Sequence, residues 1–437
     1  MSAPAATVDG PAAAGRRTGV LQGAGLLSGA MLASGLLVYC FHLLAARSLG
    51  ADAYGGIAVL WASLFLSVIV VFRPLEQTVS RGIAARRAAS QETRSVVRST
   101  AIVTLAAIGA VTAVGLVAWS ALSDRLFAGD DVLTAALLAS IGAYGLSYLV
   151  RGVVAGTGWF PGYAIFLLAD AVALVAIAAP LVVVASEKVA AAAIVGAGLI
   201  GAVAPLVAGR SRLSSALDGA EGRRFRVGAA VTFAGPAGVI AVADQILVNG
   251  GPILVMLEGG ALRAAGVVFA ATMLVRVCVY LFQGVAATLL PNLTRLHVAD
   301  VRRLPRAAAA LVGLMLAIGA VIVAGAASVG PETMTLLYGD GFDASRGALV
   351  VLGIGVGAYL GASTCSQALL AADAARPAAL AWGLAGALFV CTYQLADGEA
   401  VMRIAVAFAV AAGAALLLLA TAVVSAARRR PIAEAEA

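Results

Sequence analysis

The chain has 437 residues, of which 62% are hydrophobic and 12% charged, with a mean hydropathy of +1.02 and a pI near 9.6. A soluble globule of that length needs more polar surface than this composition supplies, so water is excluded as the main solvent and lipid takes its place. The net charge of +7 is spread as arginines over many short loops, which excludes a nucleic-acid-binding surface as its explanation.

Residues 1–17 are rich in Ala, Gly and Pro and are expected to form a disordered cytoplasmic N-terminus. They lack the form of a cleaved signal, because the apolar run that follows is long enough to remain as a span. A hydrocarbon core of roughly 30 Å calls for about 20 apolar residues per helix. Runs of that size lie near 19–46, 54–79, 99–122, 132–150, 162–185 and 189–208, and then 227–257, 264–288, 307–329, 346–370, 378–396 and 401–425. Their order predicts an all-α polytopic membrane protein. It divides into an N-lobe of six helices (18–208), an inter-lobe loop (209–226), a C-lobe of six helices (227–427) and a tail (428–437).

The basic residues test those boundaries independently. If every run crosses the bilayer, one side collects Arg16, Arg17, Arg81, Arg86, Arg87, Arg94, Arg98, Arg151, Arg210, Arg212, Arg223, Arg224 and Arg226. The same side goes on with Arg295, Arg302, Arg303, Arg306, Arg376 and Arg428 to Arg430, whereas the other has only Arg47, Arg125, Lys188, Arg263, Arg346 and Arg403. The positive-inside rule makes the first side cytoplasmic, with both termini on it. Cys40, Cys278, Cys365 and Cys391 all lie in apolar helix sequence without CxxC spacing, so buried free thiols are expected and no metal site. No P-loop, HExxH or dinucleotide fingerprint is present and the longest loops are too short for a catalytic domain, so neither an enzyme nor a cofactor is expected.

The two lobes are related by an internal repeat. A shift of 210 residues lays Leu49-Gly50-Ala51 through Gly56-Ile57-Ala58 over Gly259-Gly260-Ala261 through Gly266-Val267-Val268. With small gaps Leu126-Phe127 meets Leu337-Tyr338, and Gly156 to Pro161 meets Ala372 to Pro377. Six is even, so both lobes enter the membrane from the same side and are related by an axis along its normal, the parallel repeat of alternating-access transporters. The long seventh run carries Gly235-Pro236, a source of bending.

Ala46-Arg47-Ser48-Leu49-Gly50 followed by Asp52-Ala53-Tyr54-Gly55, then Leu290 to Arg295 and Leu337 to Phe342, resemble corresponding stretches of polysaccharide transporters. These belong to the multidrug/oligosaccharidyl-lipid/polysaccharide exporter superfamily, and the resemblance runs from about residue 17 to 427. It implies twelve transmembrane helices in two pseudo-symmetric six-helix lobes around a central cavity. It also implies a bacterial cytoplasmic-membrane protein that flips a lipid-linked oligosaccharide of the undecaprenyl-pyrophosphate type, with polysaccharide assembly enzymes as potential partners.

Ionisable side chains at membrane depth are costly and mark cavities or pairs. They are Arg73, Glu76, Asp170, Asp244 and Arg276. Tyr280 and Gln283 follow Arg276 on one helical stripe, and Gln245 and Asn249 follow Asp244. In one reading Arg276 grips a phosphate at the midplane and Arg73 is a first docking point, since a guanidinium offers a planar fork of donors. Asp244, Glu76 or Asp170 then serves coupling. In the other, Asp244 pairs with Arg276 and Arg73 with Glu76 for purely structural ends. At the level of function, a cation-coupled multidrug exporter and a noncatalytic scaffold of a polysaccharide assembly complex stand as alternatives to the flippase.

Overall fold

The protein is described by a computed structural model covering residues 11–218, 235–276 and 304–433. Its regular elements are helices. The first half holds α1 (Pro11–Val71), α2 (Arg73–Ala88), α3 (Arg94–Val117), α4 (Trp119–Phe127), α5 (Asp131–Gly156), α6 (Phe160–Ala178), α7 (Glu187–Ala208) and α8 (Arg210–Leu217). The second holds α9 (Gly235–Leu257), α10 (262–276), α11 (Leu304–Tyr338), α12 (Arg346–Ala371), α13 (Ala375–Leu395) and α14 (Ala400–Ala433).

Helix α1 is two spans. Gly50 has φ 74°, a conformation that suits a residue without Cβ, and the chain folds back there. Phe41 consequently stacks on Trp61 with centroids 6.1 Å apart, whereas twenty residues of straight helix would separate them by about 30 Å. Ten runs among the described residues are long and apolar enough to cross a membrane. The first contains the reversal at Gly50 and supplies two crossings, and α10 is a further helix over 262–276, in keeping with the twelve spans and two lobes read from the sequence.

Some span boundaries differ from those expected. The second span breaks at Phe72, where Pro74 opens α2 because a first-turn proline has no orphan N–H to lose. The third divides at Ala118 into α3 and α4. The fifth ends as α-helix at Ala178 and continues as a 3-10 turn, Ala179–Val182.

The repeat is visible in matching devices. Helices α5 and α12 are both 26 residues long, and each begins at a side-chain N-cap. Asp130 accepts from the Val132 and Leu133 amides at 2.7 and 3.0 Å, and Ser345 from the Ala348 amide at 3.2 Å. Replacing Asp130 with alanine is expected to cost about 1 kcal/mol, readable as a lowered midpoint in a thermal melt. An unchanged midpoint would show that water caps this helix as well.

The halves meet at the face carrying the Gly50 and Gly259 turns, opposite the arginine-rich loops. A Cβ on Gly55 would fall 2.0 Å from the Leu262 carbonyl oxygen, and one on Gly266 would fall 2.6 Å from that of Ala51. One shift carries Ala51 onto Leu262 and Gly55 onto Gly266, so the two contacts exchange under the pseudo-twofold. That shift is one residue longer than the one read from the sequence. Around this crossing His42, Tyr54 and Phe269 pack with ring centroids 5.0 to 6.4 Å apart. Arg263 reaches Asp52 at 3.7 Å and Asp343 at 3.9 Å. This face is sealed by backbone-to-backbone contact, aromatic rings and ion pairs.

Candidate functional site

The polar residues of α9 lie on one side of the helix. The Asn249 amide donates to Gln245 Oε1 at 2.7 Å, and the Gln245 amide donates to Asp244 Oδ2 at 3.2 Å. The other Asp244 oxygen accepts from the Tyr359 hydroxyl on α12. Tyr359 is held in turn against Trp382 and Phe408, centroids 5.8 and 6.0 Å away. Asp244 is therefore hydrogen-bonded on both oxygens, as a carboxyl group at membrane depth requires.

Arg276 on α10 is only 9% exposed. Its Nη1 donates to the Val248 carbonyl at 2.8 Å, which fixes the head beside α9. The Asp244–Arg276 ion pair, one of the two readings of the sequence, is not formed; the tyrosine and glutamine occupy the carboxylate, and Arg276 is bound to backbone. Arg73 is exposed at the start of α2. Tyr280 and Gln283 lie outside the described residues.

The Arg73–Glu76 pair of that same reading is also replaced. Glu76 accepts two hydrogen bonds from Arg151 on α5, and both side chains are about 85% shielded from solvent. Arg151 lies over the Tyr148 ring, 3.8 Å from its centroid. The sequence placed Arg151 in a loop, yet α5 runs on to Gly156 and carries it inside. Burial favours this pair because a fork-to-carboxylate contact satisfies both groups, whereas Arg73 stays exposed to solvent at the start of α2. An Arg151→Ala variant leaves Glu76 buried without its cation and is expected to lose about 3 kcal/mol. Adding Glu76→Leu should restore most of that in a denaturation series. A lossless single variant would mean that the pair is incidental.

Asp170 accepts from the Tyr144 hydroxyl at 3.3 Å and packs against Gly201 of α7, so it belongs to the interior of the first half. Tyr144 and Tyr359 are each the fourteenth residue of their helices, α5 and α12. Each half thus uses a tyrosine at the same place to hold a carboxylate. Sequence reasoning named neither tyrosine, although aligning the two N-caps would have brought them together.

Beside this cluster lies a cavity of about 440 Å³, lined by Pro74, Gly235, Val239, Ala243, Ile246 and Gly386, among others. Pro74 and Ala243 adjoin Arg73 and Asp244 in the chain. The cavity walls are almost wholly apolar side chains and glycines from both halves, so a polar cluster and an apolar groove share the same stretch of α9.

No family model matches the chain. Uncharacterized proteins of Mycobacterium tuberculosis and Mycobacterium bovis are 33% identical over 276 residues, 60% of this chain and 59% of the relatives' length. The matched stretch therefore spans well under two thirds of those proteins. Among solved structures, an inward-facing multidrug resistance MATE family transporter of the MOP superfamily aligns with a TM-score of 0.71 at 13% identity, over 92% of this chain and 99% of that one. An outward-facing MATE conformation gives 0.62 at 14% identity over 92% and 96%. The lipid II flippase MurJ in an inward closed conformation gives 0.65 at 14% identity over 91% and 87%. The chain is a multi-pass membrane protein with the fold of MOP-superfamily membrane transporters.

Proposed function

We propose that this protein flips a lipid-linked anionic precursor, such as an oligosaccharide on undecaprenyl pyrophosphate, across the bacterial cytoplasmic membrane by alternating access, without covalent catalysis. The supporting observation is the juxtaposition on α9 of the Asp244, Gln245 and Asn249 cluster with the apolar cavity at Pro74 and Ala243. A glycolipid has one part suited to each. Its pyrophosphate would be met first by Arg73 and then by Arg276, with Tyr280, Gln283, Gln245 and Asn249 lining the path of the sugar. Asp244, already held by Tyr359, would be the group that couples a proton or cation to movement; Asp170 and Glu76 would keep structural roles. The lobe divisions 18–208 and 227–427 are the moving bodies in this reading.

Positive-inside asymmetry would put the arginine-rich face and both termini in the cytoplasm. The sealed face would then look outward and the described state would be inward-facing. The higher TM-score to the inward-facing MATE structure than to the outward-facing one, 0.71 against 0.62, supports that assignment.

A cation-coupled multidrug exporter is the second reading, favoured by the MATE likeness. Proteoliposomes separate the two. The flippase reading expects translocation of a fluorescent undecaprenyl-pyrophosphate oligosaccharide and no gradient-driven uptake of a cationic dye. Dye transport with an immobile glycolipid would replace it by the exporter. Absence of both, with a single conformation under all conditions, would favour the scaffold for polysaccharide assembly enzymes.

A further inference from the structure

A second basic site lies at the arginine-rich face of the first half, away from α9. The short helix α8 is amphipathic. Leu213 is buried in a small core with Val79, Ile83, Val96, Val153 and Val154, and this anchor turns Arg212 and Ser215 toward the end of α2. A cavity of about 360 Å³ opens there, lined by Arg87, Thr157, Gly158, Trp159, Arg212, Leu213 and Ser215. The turn at Gly158, φ 68°, exposes backbone, and Arg87 donates to the Thr157 carbonyl, holding its guanidinium over the opening. Trp159 is wedged between two glycines: a Cβ on Gly162 or Gly209 would sit 2.1 or 2.0 Å from the indole. The ring is therefore fixed. A neighbouring cavity of about 380 Å³ is lined by Arg94, Val97, Arg98 and Ser214.

The charge balance is one-sided. Among the described residues, no carboxylate lines either cavity. Among the described residues, Asp218 pairs with Arg94 at 2.6 Å, and Arg87, Arg98 and Arg212 have no ion-pair partner. Cations gathered this closely repel one another unless an anion lies between them. Guanidinium forks with serine hydroxyls and a turn's backbone are the donors that suit phosphate oxygens. The apolar side of the site selects the source of that phosphate. Trp159 and Leu213 form part of the wall, and Phe160, Leu206 and Val207 next to it are exposed large apolar side chains. A fixed indole beside arginines at a span terminus is the arrangement of a membrane–water interface, where the cytoplasmic leaflet presents anionic headgroups. A soluble phosphate would have no use for that apolar flank.

We infer that the cavity between the end of α2, the α5–α6 turn and α8 binds the phosphate headgroup of an anionic lipid, with Arg87 and Arg212 as its ligands and the Phe160 and Val207 flank along its acyl chains. The site is separate from the α9 cluster, and the inference holds whatever the transported molecule is.

The test uses the full chain in a zwitterionic detergent, titrated with dihexanoyl phosphatidylglycerol, dihexanoyl phosphatidylcholine or inorganic pyrophosphate and read by native mass spectrometry. Retention of phosphatidylglycerol over phosphatidylcholine is expected, with affinity reduced about thirty-fold in an Arg87→Gln/Arg212→Gln variant. Arg263→Gln, at the opposite face, should leave it unchanged. Both arginines are exposed, and an unaltered thermal midpoint would verify that the double variant is folded. Should that variant unfold, Trp159→Leu in its place must still weaken phosphatidylglycerol binding. Equal retention of the two lipids, wild-type retention by the double variant, or binding of pyrophosphate without either lipid would each overturn the assignment.

Discussion

A Gly55→Ala variant is expected to lose transport while remaining folded in the membrane. The added methyl would lie 2.0 Å from the Leu262 carbonyl oxygen and 2.5 Å from its carbon. Both are backbone atoms of the other half, so no side-chain rotation relieves the overlap. Either the halves separate on this face or α10 is displaced. Overpacking of this kind costs about 1–3 kcal/mol, which shifts a two-state equilibrium by about 5- to 150-fold. The penalty falls only on the state in which this face is closed, so the population moves to the state open on this side. Distances between spin labels at positions 52 and 263, where Asp52 and Arg263 are now 3.7 Å apart, should lengthen. Gly266→Ala, its pseudo-symmetric counterpart, should behave alike. Gly413→Ala is the control, since its Cβ would meet nothing within 4 Å. Wild-type transport by both interface variants would remove closure of this face from the cycle.

Arg276→Ala is expected to abolish glycolipid translocation with little change in fold. The side chain is 9% exposed and its one described hydrogen bond is to a backbone carbonyl, so its removal orphans no carboxylate. What disappears is the buried cation. A hydrogen bond to a charged group is worth about 1.5–3 kcal/mol, and loss of that grip should weaken binding of a pyrophosphate headgroup by about 10- to 150-fold. Arg276→Lys should recover only part of it, because an ammonium restores the charge without the planar fork. The measurement is initial translocation rate against glycolipid concentration for the three proteins. Equal rates would return Arg276 to a structural role. A lysine variant as good as wild type would leave the charge but not the fork.

The number and course of the spans were legible because each apolar run must exceed the bilayer core and each break carries Gly, Pro or charge. The repeat was legible too, although its shift was off by a residue at the Gly55–Gly266 crossing. Partnerships between helices were not. Charges one turn apart, Arg73 and Glu76, looked paired, yet Glu76 found Arg151 across the interface with α5. Helix periodicity describes one surface at a time and cannot say which distant helix faces it. Tyr359 escaped notice for the same reason: a tyrosine in an apolar helix has no local signal, and only the fold brings it to Asp244. The arginine cluster at Arg87 and Arg212 read simply as topology, since the indole and the buried Leu213 that shape it come from separate stretches of chain.

The most direct test of alternating access joins the two halves across the sealed face. In a background with Cys40, Cys278, Cys365 and Cys391 replaced, cysteines at positions 52 and 263 can be bridged by a reducible bifunctional maleimide, both sites being solvent-exposed. Glycolipid translocation in proteoliposomes should stop on bridging and return when the bridge is reduced. Undiminished translocation with the bridge intact would contradict the account, because the cargo would then be crossing without the halves parting.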